Sequence, residues 1–367
     1  MSKKVYAVLN GVTKKIRKNY AVIGGITRKL RREYVVLNGV TRPFWTGGEA
    51  AYYGTDHLYA GAQDPAYAST PKHAIFHSGF GVGSNLTQYM TSFDATLVKT
   101  NQMINSRYEH AGGCIGKIAI FAGGRNSASS SDVTAITEAF DETLTSVDCP
   151  SLRKGRCNLA GANAGSYLVF SGGETVSGAG SSHHTDTAYG DAYTESLTKV
   201  SVDMSVEDRT WRGATLPSHA LFAKKSIANA FNGSLTRSLP GGPDAAIYQG
   251  TELHGKAMFA DENGNLQVYN SDLTKTVASG LSSARISYGC TTLDEWAIFA
   301  GGRVSGESAS YQTSVEAFED DLTRITLTAL STGRYNLSGA HVGDFAFFAG
   351  GYTSDKKPTS LVDIYRI

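Results

Sequence analysis

Cysteine is scarce in this chain: four among 367 residues, Cys114, Cys149, Cys157 and Cys290, none in a CxxC spacing. That scarcity argues against a disulfide framework and a cysteine-built metal knuckle, and points to small buried thiols kept reduced in a cytoplasm. Long apolar runs are missing too. No stretch reaches the roughly 18 residues that a membrane-spanning helix needs. Met-Ser-Lys-Lys leads into patterned sequence without an apolar segment and a small-residue cleavage site, so no signal peptide is expected. Charged residues make up only 18%, which suits many short strands and tight turns. No GxSxG, HExxH, P-loop or repeated SxDxGxTW box appears, so none of the catalysis tied to those motifs has a carrier here.

Glycine is abundant, at 41 residues, and much of it stands in one recurring context. The stretch WAIFAGG from Trp296 has near-copies beginning at Ala74, Ile118, Tyr167, His219, Lys256 and Phe345. A short apolar run stopped by a glycine pair reads as a strand buried on both faces. An aromatic follows each copy, usually with a small polar or acidic neighbour and Leu-Thr four positions beyond: Phe140, Tyr193, Phe231, Tyr269 and Phe318 all fit. Phe93-Asp94 with Leu97-Val98 opens the series and Tyr365 closes it. The aromatic spacings are 47, 53, 38, 38, 49 and 47 residues. Periods near 40 to 50 mean one propeller blade per repeat. A third mark, Arg107, Arg156, Arg285 and Arg334, lies 16 residues before the first glycine of each pair. Repetition at one blade position implies that these arginines bond carbonyls between blades.

From Tyr52 to Ile367 these marks resemble the kelch family of β-propellers. The resemblance implies an all-β fold: a seven-bladed kelch-like β-propeller. It departs where Leu replaces the usual fourth-strand Trp, and where Lys224-Lys225 and Asp261-Glu262 replace the glycine pair; the two 38-residue blades should carry tight hairpins there. The chain stops after the third strand of the last blade, so the segment ending at Tyr59 should complete it and leave no free sheet edge. Its register follows from Tyr59 standing four residues before Gln63, and Gln63 standing 16 before Gly79.

Residues 1–45 form a separate basic β-hairpin arm, with 46–367 as the propeller domain. Tyr6, Tyr20 and Tyr34 are 14 apart, and Asn10-Gly11, Gly24-Gly25 and Asn38-Gly39 predict three hairpin turns. The arm holds 11 Lys and Arg against Glu33 alone, a net of +10; the rest then has 34 − 11 = 23 basic and 33 − 1 = 32 acidic residues, a net of −9. A basic edge is protected from aggregation and suits docking. Nucleic acid is not expected, because the basic residues alternate with Ile16 and Leu30 and no base-stacking module is evident. Units such as KVYAVLNGVTKKIRKNYAVIGGITRKL resemble the tandem repeats that head many phage and prophage tail-associated proteins of Gram-positive bacteria. The resemblance implies a protein made in the bacterial cytoplasm and carried on a virion or tail-like particle. The arm would attach to a tail, baseplate or fibre protein, and the propeller would meet a bacterial cell-surface glycan or protein. The habit of fibre-like proteins implies a homotrimer.

In an antiparallel four-stranded blade, loops joining strands two and three share a face with the connections between blades. The long loops after Gly124, Gly173, Gly302 and Gly351 therefore bring Arg125, Asn126, Glu174, His183, His184, Tyr189, Arg303, Tyr311 and Tyr352 to one face, a set suited to sugars or a polar protein surface. His183, His184, Asp186 and Asp191 are the densest set of metal-ligand types. Adjacent histidines point apart along an extended chain, however, and the Ser/Gly-rich surroundings supply no fixed geometry, so neither metal nor cofactor is expected. A receptor-binding module is the expected function; a glycan-active enzyme and a structural tail component are the alternatives.

Overall fold

The computed structural model describes the backbone of the strands between residues 5 and 46, and residues 50–366 apart from 82–85, 128–131, 177–183, 305–309 and 356. The chain divides into two units, Met1–Ala51 and Tyr52–Arg366. In the first, Val5–Leu9 pairs with Val12–Ile16, Asn19–Ile23 with Ile26–Leu30, and Arg32–Leu37 with Val40–Thr46, all antiparallel. The turn pairs predicted to join them lie outside the described residues.

The second unit is a seven-bladed β-propeller of seven four-stranded antiparallel sheets. Among the described residues there is no helix, and so none long and apolar enough to cross a membrane. The innermost strands are Ala66–Ser69, Ala111–Ile115, Ala160–Ala164, Arg212–Leu216, Ile247–Leu253, Gly289–Leu293 and Ser338–Val342, opening blades 1 to 7 in order. The repeated apolar run is the second strand of each blade. Its phenylalanine, such as Phe121, Phe222 or Phe299, is fully buried between neighbouring sheets, each ring contributing roughly 1.5–3 kcal/mol. The core therefore sits between blades, as where Phe93 of blade 1 stacks on Phe347 of blade 7 at 4.9 Å.

The aromatic and Leu-Thr marks are the hairpin joining strands three and four. Asp141 Oδ1 accepts the Thr143 and Thr145 amides at 2.8 and 3.0 Å, and Leu144 takes φ +64°. Five equivalent leucines, from Leu97 to Leu322, do the same at +59° to +68°. A left-handed leucine is strained. Packing of Leu144 into the core opposes that strain.

Blades 4 and 5 do use tight hairpins, Lys224 pairing Ile227 and Ala260 pairing Leu266. Ring closure also follows the expectation: Ala51–His57 lies beside Leu361–Arg366 as the outer strand of blade 7. Its register is one residue away from the sequence reading. The Gly351 amide bonds the Ala62 carbonyl, as Gly124 bonds Arg156 and Gly302 bonds Arg334, so Ala62 stands at the arginine position. Ser78, at φ +52°, takes the place of the first glycine, which displaced the count.

The four arginines are fully buried, but their side chains do not bridge blades. Arg107 donates to the Gly123 and Ile136 carbonyls of its own blade, at 3.1 and 2.7 Å. Each guanidinium also meets a carboxylate on the third strand: Arg107 with Glu138, Arg156 with Asp191, Arg285 with Glu316 and Arg334 with Asp363. A buried charge demands such a partner. The link to the preceding blade is made by the main chain: the Arg156 amide donates to the Thr134 carbonyl and the Arg156 carbonyl accepts the Gly124 amide.

Candidate functional site

Cross-strand bridges join the connections between blades to the long second-to-third-strand loops, Tyr108 with Arg125, Cys157 with Glu174, Ile286 with Arg303 and Tyr335 with Tyr352, and several of the predicted residues fall into two groups there. Arg125 is buried, its Nε 2.6 Å from Glu109 and its Nη2 2.5 Å from Glu174. Glu174 is 3% exposed and also pairs with Arg209. Glu109, Cys157 and Glu174 come close enough to suggest a metal site. Arg125 and Arg209 already neutralise those carboxylates, and burial and the Glu109 charge push the Cys157 thiol up, away from the thiolate a metal needs. This network buttresses the loop. Glu174–Val176 and His184–Asp186 pair as a small ribbon, so the loop expected to lack fixed geometry has an ordered stem. His183 and the His184 side chain lie outside the described residues. Asn126 is exposed. Tyr189 is packed beneath Arg153, 4.4 Å from its ring centre.

Arg303, Tyr311 and Tyr352 converge on a residue the sequence reading missed. Tyr335 lies between Tyr311 and Tyr352 in a stack with centroids 5.2 and 5.6 Å apart, and the Arg303 guanidinium sits 5.3 Å over its ring. Cross-strand bridges hold the stack, Arg303 with Tyr311 and Tyr335 with Tyr352. All three rings are half-buried. The signal was available: Tyr335 directly follows Arg334, as Tyr108 follows Arg107.

Asn336, the residue after Tyr335, lines the mouth of the central channel, a hollow of about 960 Å³ with its opening included. Inner strands converge so tightly here that a Cβ on Gly213 would lie 2.3 Å from the Gly161 carbonyl oxygen. Asp64, Glu109, Asn158, Ser287 and Asn336 ring the mouth, each left-handed at φ +48° to +56°. Backbone bonds of 2.8 Å run from Asp64 to Asn336, Asn336 to Ser287 and Asn158 to Glu109. Asp64 is open to the channel but enclosed by protein around it. Desolvation pushes its carboxyl up to about 6, against the pull of Arg212 across the mouth.

A buried relay leads to this mouth. His77 Nε2 lies 3.1 Å from Glu138, and His77 Nδ1 lies 2.9 Å from His110 Nε2. An ionised Glu138 accepts only, so it selects one tautomer for both rings: His77 donates from Nε2, His110 donates from Nε2, and His110 Nδ1 is left bare and without a partner. Both histidines depart from the repeat, since the matching positions in blades 2 and 3 hold Ala122 and Leu159. Burial pushes His77 down to about 4 from 6.5 and lowers His110 as well. Burial works against ionised Glu138, yet its bond to His77 and the Arg107 charge hold it down to about 2. Between pH 6.5 and 4 the unfolded chain therefore binds protons that the folded chain refuses. Stability falls across that window as pH drops, by up to about 1.4 kcal/mol per unit for each histidine. Melting curves at pH 7, 6 and 5 should show this decline, and His77→Ala with His110→Leu should flatten it. An unchanged slope in the double variant would place the acid sensitivity elsewhere.

No family model matches this chain, and no curated protein matches it.

Proposed function

We propose that this chain is a receptor-binding component of a phage or phage-tail-like particle, its propeller recognising a bacterial surface glycan or protein. The kelch-like marks and the repeats of the arm support this reading from the sequence. The observation that carries the binding role is the convergence, on one face, of an open polar channel mouth and the Tyr311–Tyr335–Tyr352 stack with Arg303. Flat aromatic surface beside hydrogen-bonding groups suits sugars and polar protein surfaces. Both are built on a closed β scaffold, which keeps the site preorganised.

The test is co-sedimentation of the full chain with a panel of Gram-positive cells and their isolated wall polysaccharides. Tyr335→Ala removes the middle of the stack and should weaken cell binding at least about tenfold. Replacing residues 177–183 by a two-residue turn, with the stem kept, tests the neighbouring loop. Undiminished binding by both folded variants would move the site to the other face or to the arm; no binding to any cell would favour a structural tail component.

A glycan-active enzyme is the second reading, and Asp64 favours it. A carboxyl raised to about 6 inside a polar cleft is suited to proton transfer near neutrality. Release of reducing ends from the same polysaccharides by the full chain, lost in Asp64→Asn, would establish that activity.

A further inference from the structure

Seven residues open the channel-lining segments just before the converging inner positions: Ala66, Ala111, Ala160, Arg212, Gln249, Gly289 and Ser338. Six are small or neutral, and blade 4 alone carries a charge. Arg212 has no structural duty comparable to that of the four buried arginines. Its hydrogen bond is to the carbonyl of the adjacent Trp211, at 3.0 Å, and among the described residues no carboxylate comes within 4 Å of it. The guanidinium is half-buried in the wall of the mouth, and enclosure by protein lowers its pKa while the distant Asp64 charge raises it. A cation placed in such a cleft without a bonded counterion is poised to take one from a ligand.

The surroundings narrow the choice. Ser287 and Asn336 line the same hollow with a hydroxyl and an amide of the kind a polyol bonds, whereas the Gln249 amide there is already held by Leu337 and Cys290 and the Asn158 Nδ2 by Glu109 and Glu174. Asn336 is directly preceded by Tyr335, the middle ring of the tyrosine stack. Outside the arm the chain carries net −9, so a dense polyanion such as a teichoic-acid phosphate chain or a nucleic acid would be repelled at long range, whereas one carboxylate can be held at short range.

We propose that the channel mouth is a subsite for the carboxylate of a uronic-acid residue in a surface oligosaccharide, held by Arg212, with a neighbouring sugar ring beside the Tyr311–Tyr335–Tyr352 stack. This rests on the glycan-binding reading above and names the class of glycan. The planar guanidinium and the carboxylate match in a two-bond fork, and exclusion of water by the channel wall strengthens the pair.

The test is calorimetry of the full chain with tetrasaccharides of glucuronic, galacturonic and mannuronic acid, each beside its carboxyl-reduced neutral counterpart. At least one acid should bind, and its reduced form should bind about 10–100-fold more weakly. Arg212→Gln, which places in blade 4 the residue blade 5 already uses, should melt like the parent and abolish that preference while leaving the reduced sugar's affinity unchanged. Neutral sugars bound as well as their acids, or a preference that survives Arg212→Gln, would overturn the carboxylate subsite and leave glycan recognition standing. An acidic peptide such as hexaglutamate bound through Arg212 more tightly than any sugar would overturn the sugar assignment. Failure to bind any of these sugars, in a protein that still sediments with cells, would refute the proposal and turn the functional reading toward a surface protein.

Discussion

Replacing Arg334 by methionine is expected to remove about 3–5 kcal/mol of stability, because Asp363 would remain fully buried without its cation. The carboxylate keeps the Tyr52 hydroxyl at 3.1 Å and the Ser331 amide at 3.0 Å, which is insufficient to hold a charge away from water. The Phe348 carbonyl, 2.8 Å from Nη2, also loses its donor. A fall in melting temperature on the order of 5–10 °C should follow. Other blades show how to relieve the loss. Where the arginine is missing, the third-strand acid is replaced by Thr91, Asn229 or Gln267, and these still accept an amide from the preceding connection: Tyr59 to Thr91 at 3.0 Å, Ser205 to Asn229 at 3.0 Å, Asp244 to Gln267 at 3.3 Å. Arg334→Met combined with Asp363→Asn should therefore recover at least half of the loss. Additive single effects in the double-mutant cycle would show that the pair is not coupled.

A chain beginning at residue 61 should lose cooperative folding, whereas one beginning at residue 46 should keep it. Residues 1–45 supply no strand to the seven sheets. Ala51–His57 supplies the outer strand of blade 7, and its neighbourhood is tied down at several points. Tyr52 packs edge-on against Tyr365 at 5.5 Å, Tyr53 against Phe345 at 5.3 Å, and the Leu58 amide reaches the Ser360 carbonyl at 2.6 Å. Removing the segment bares the hydrogen-bonding edge of Leu361–Arg366, a template for pairing between molecules. Light scattering and thermal melts would show aggregation, or a melting point lowered by more than roughly 10 °C. A monomeric, equally stable chain from residue 61 would mean that ring closure does not depend on this strand.

Sequence alone determined the architecture. Blade number, the tight hairpins of blades 4 and 5, and closure by the segment before Leu58 were all legible, because each mark answers a short-range demand that recurs in every blade. A strand between two sheets must be apolar, the turn after it must accept positive φ, and the next hairpin needs a capping side chain. The register at the seam was misread by one residue because Ser78 adopts the left-handed conformation usually given to glycine. The arginine partners were legible and overlooked: Glu138, Asp191, Glu316 and Asp363 each stand two residues before the blade aromatic, in the blades that carry the arginine. Tertiary structure alone decided the rest. His77 meets His110 from the next blade, and Arg212 and Asp64 share one channel mouth although 148 residues apart (212 − 64). No local pattern encodes such neighbours, since their spacing is set by how seven twisted sheets close into a ring and bring single departures from the repeat to a common axis.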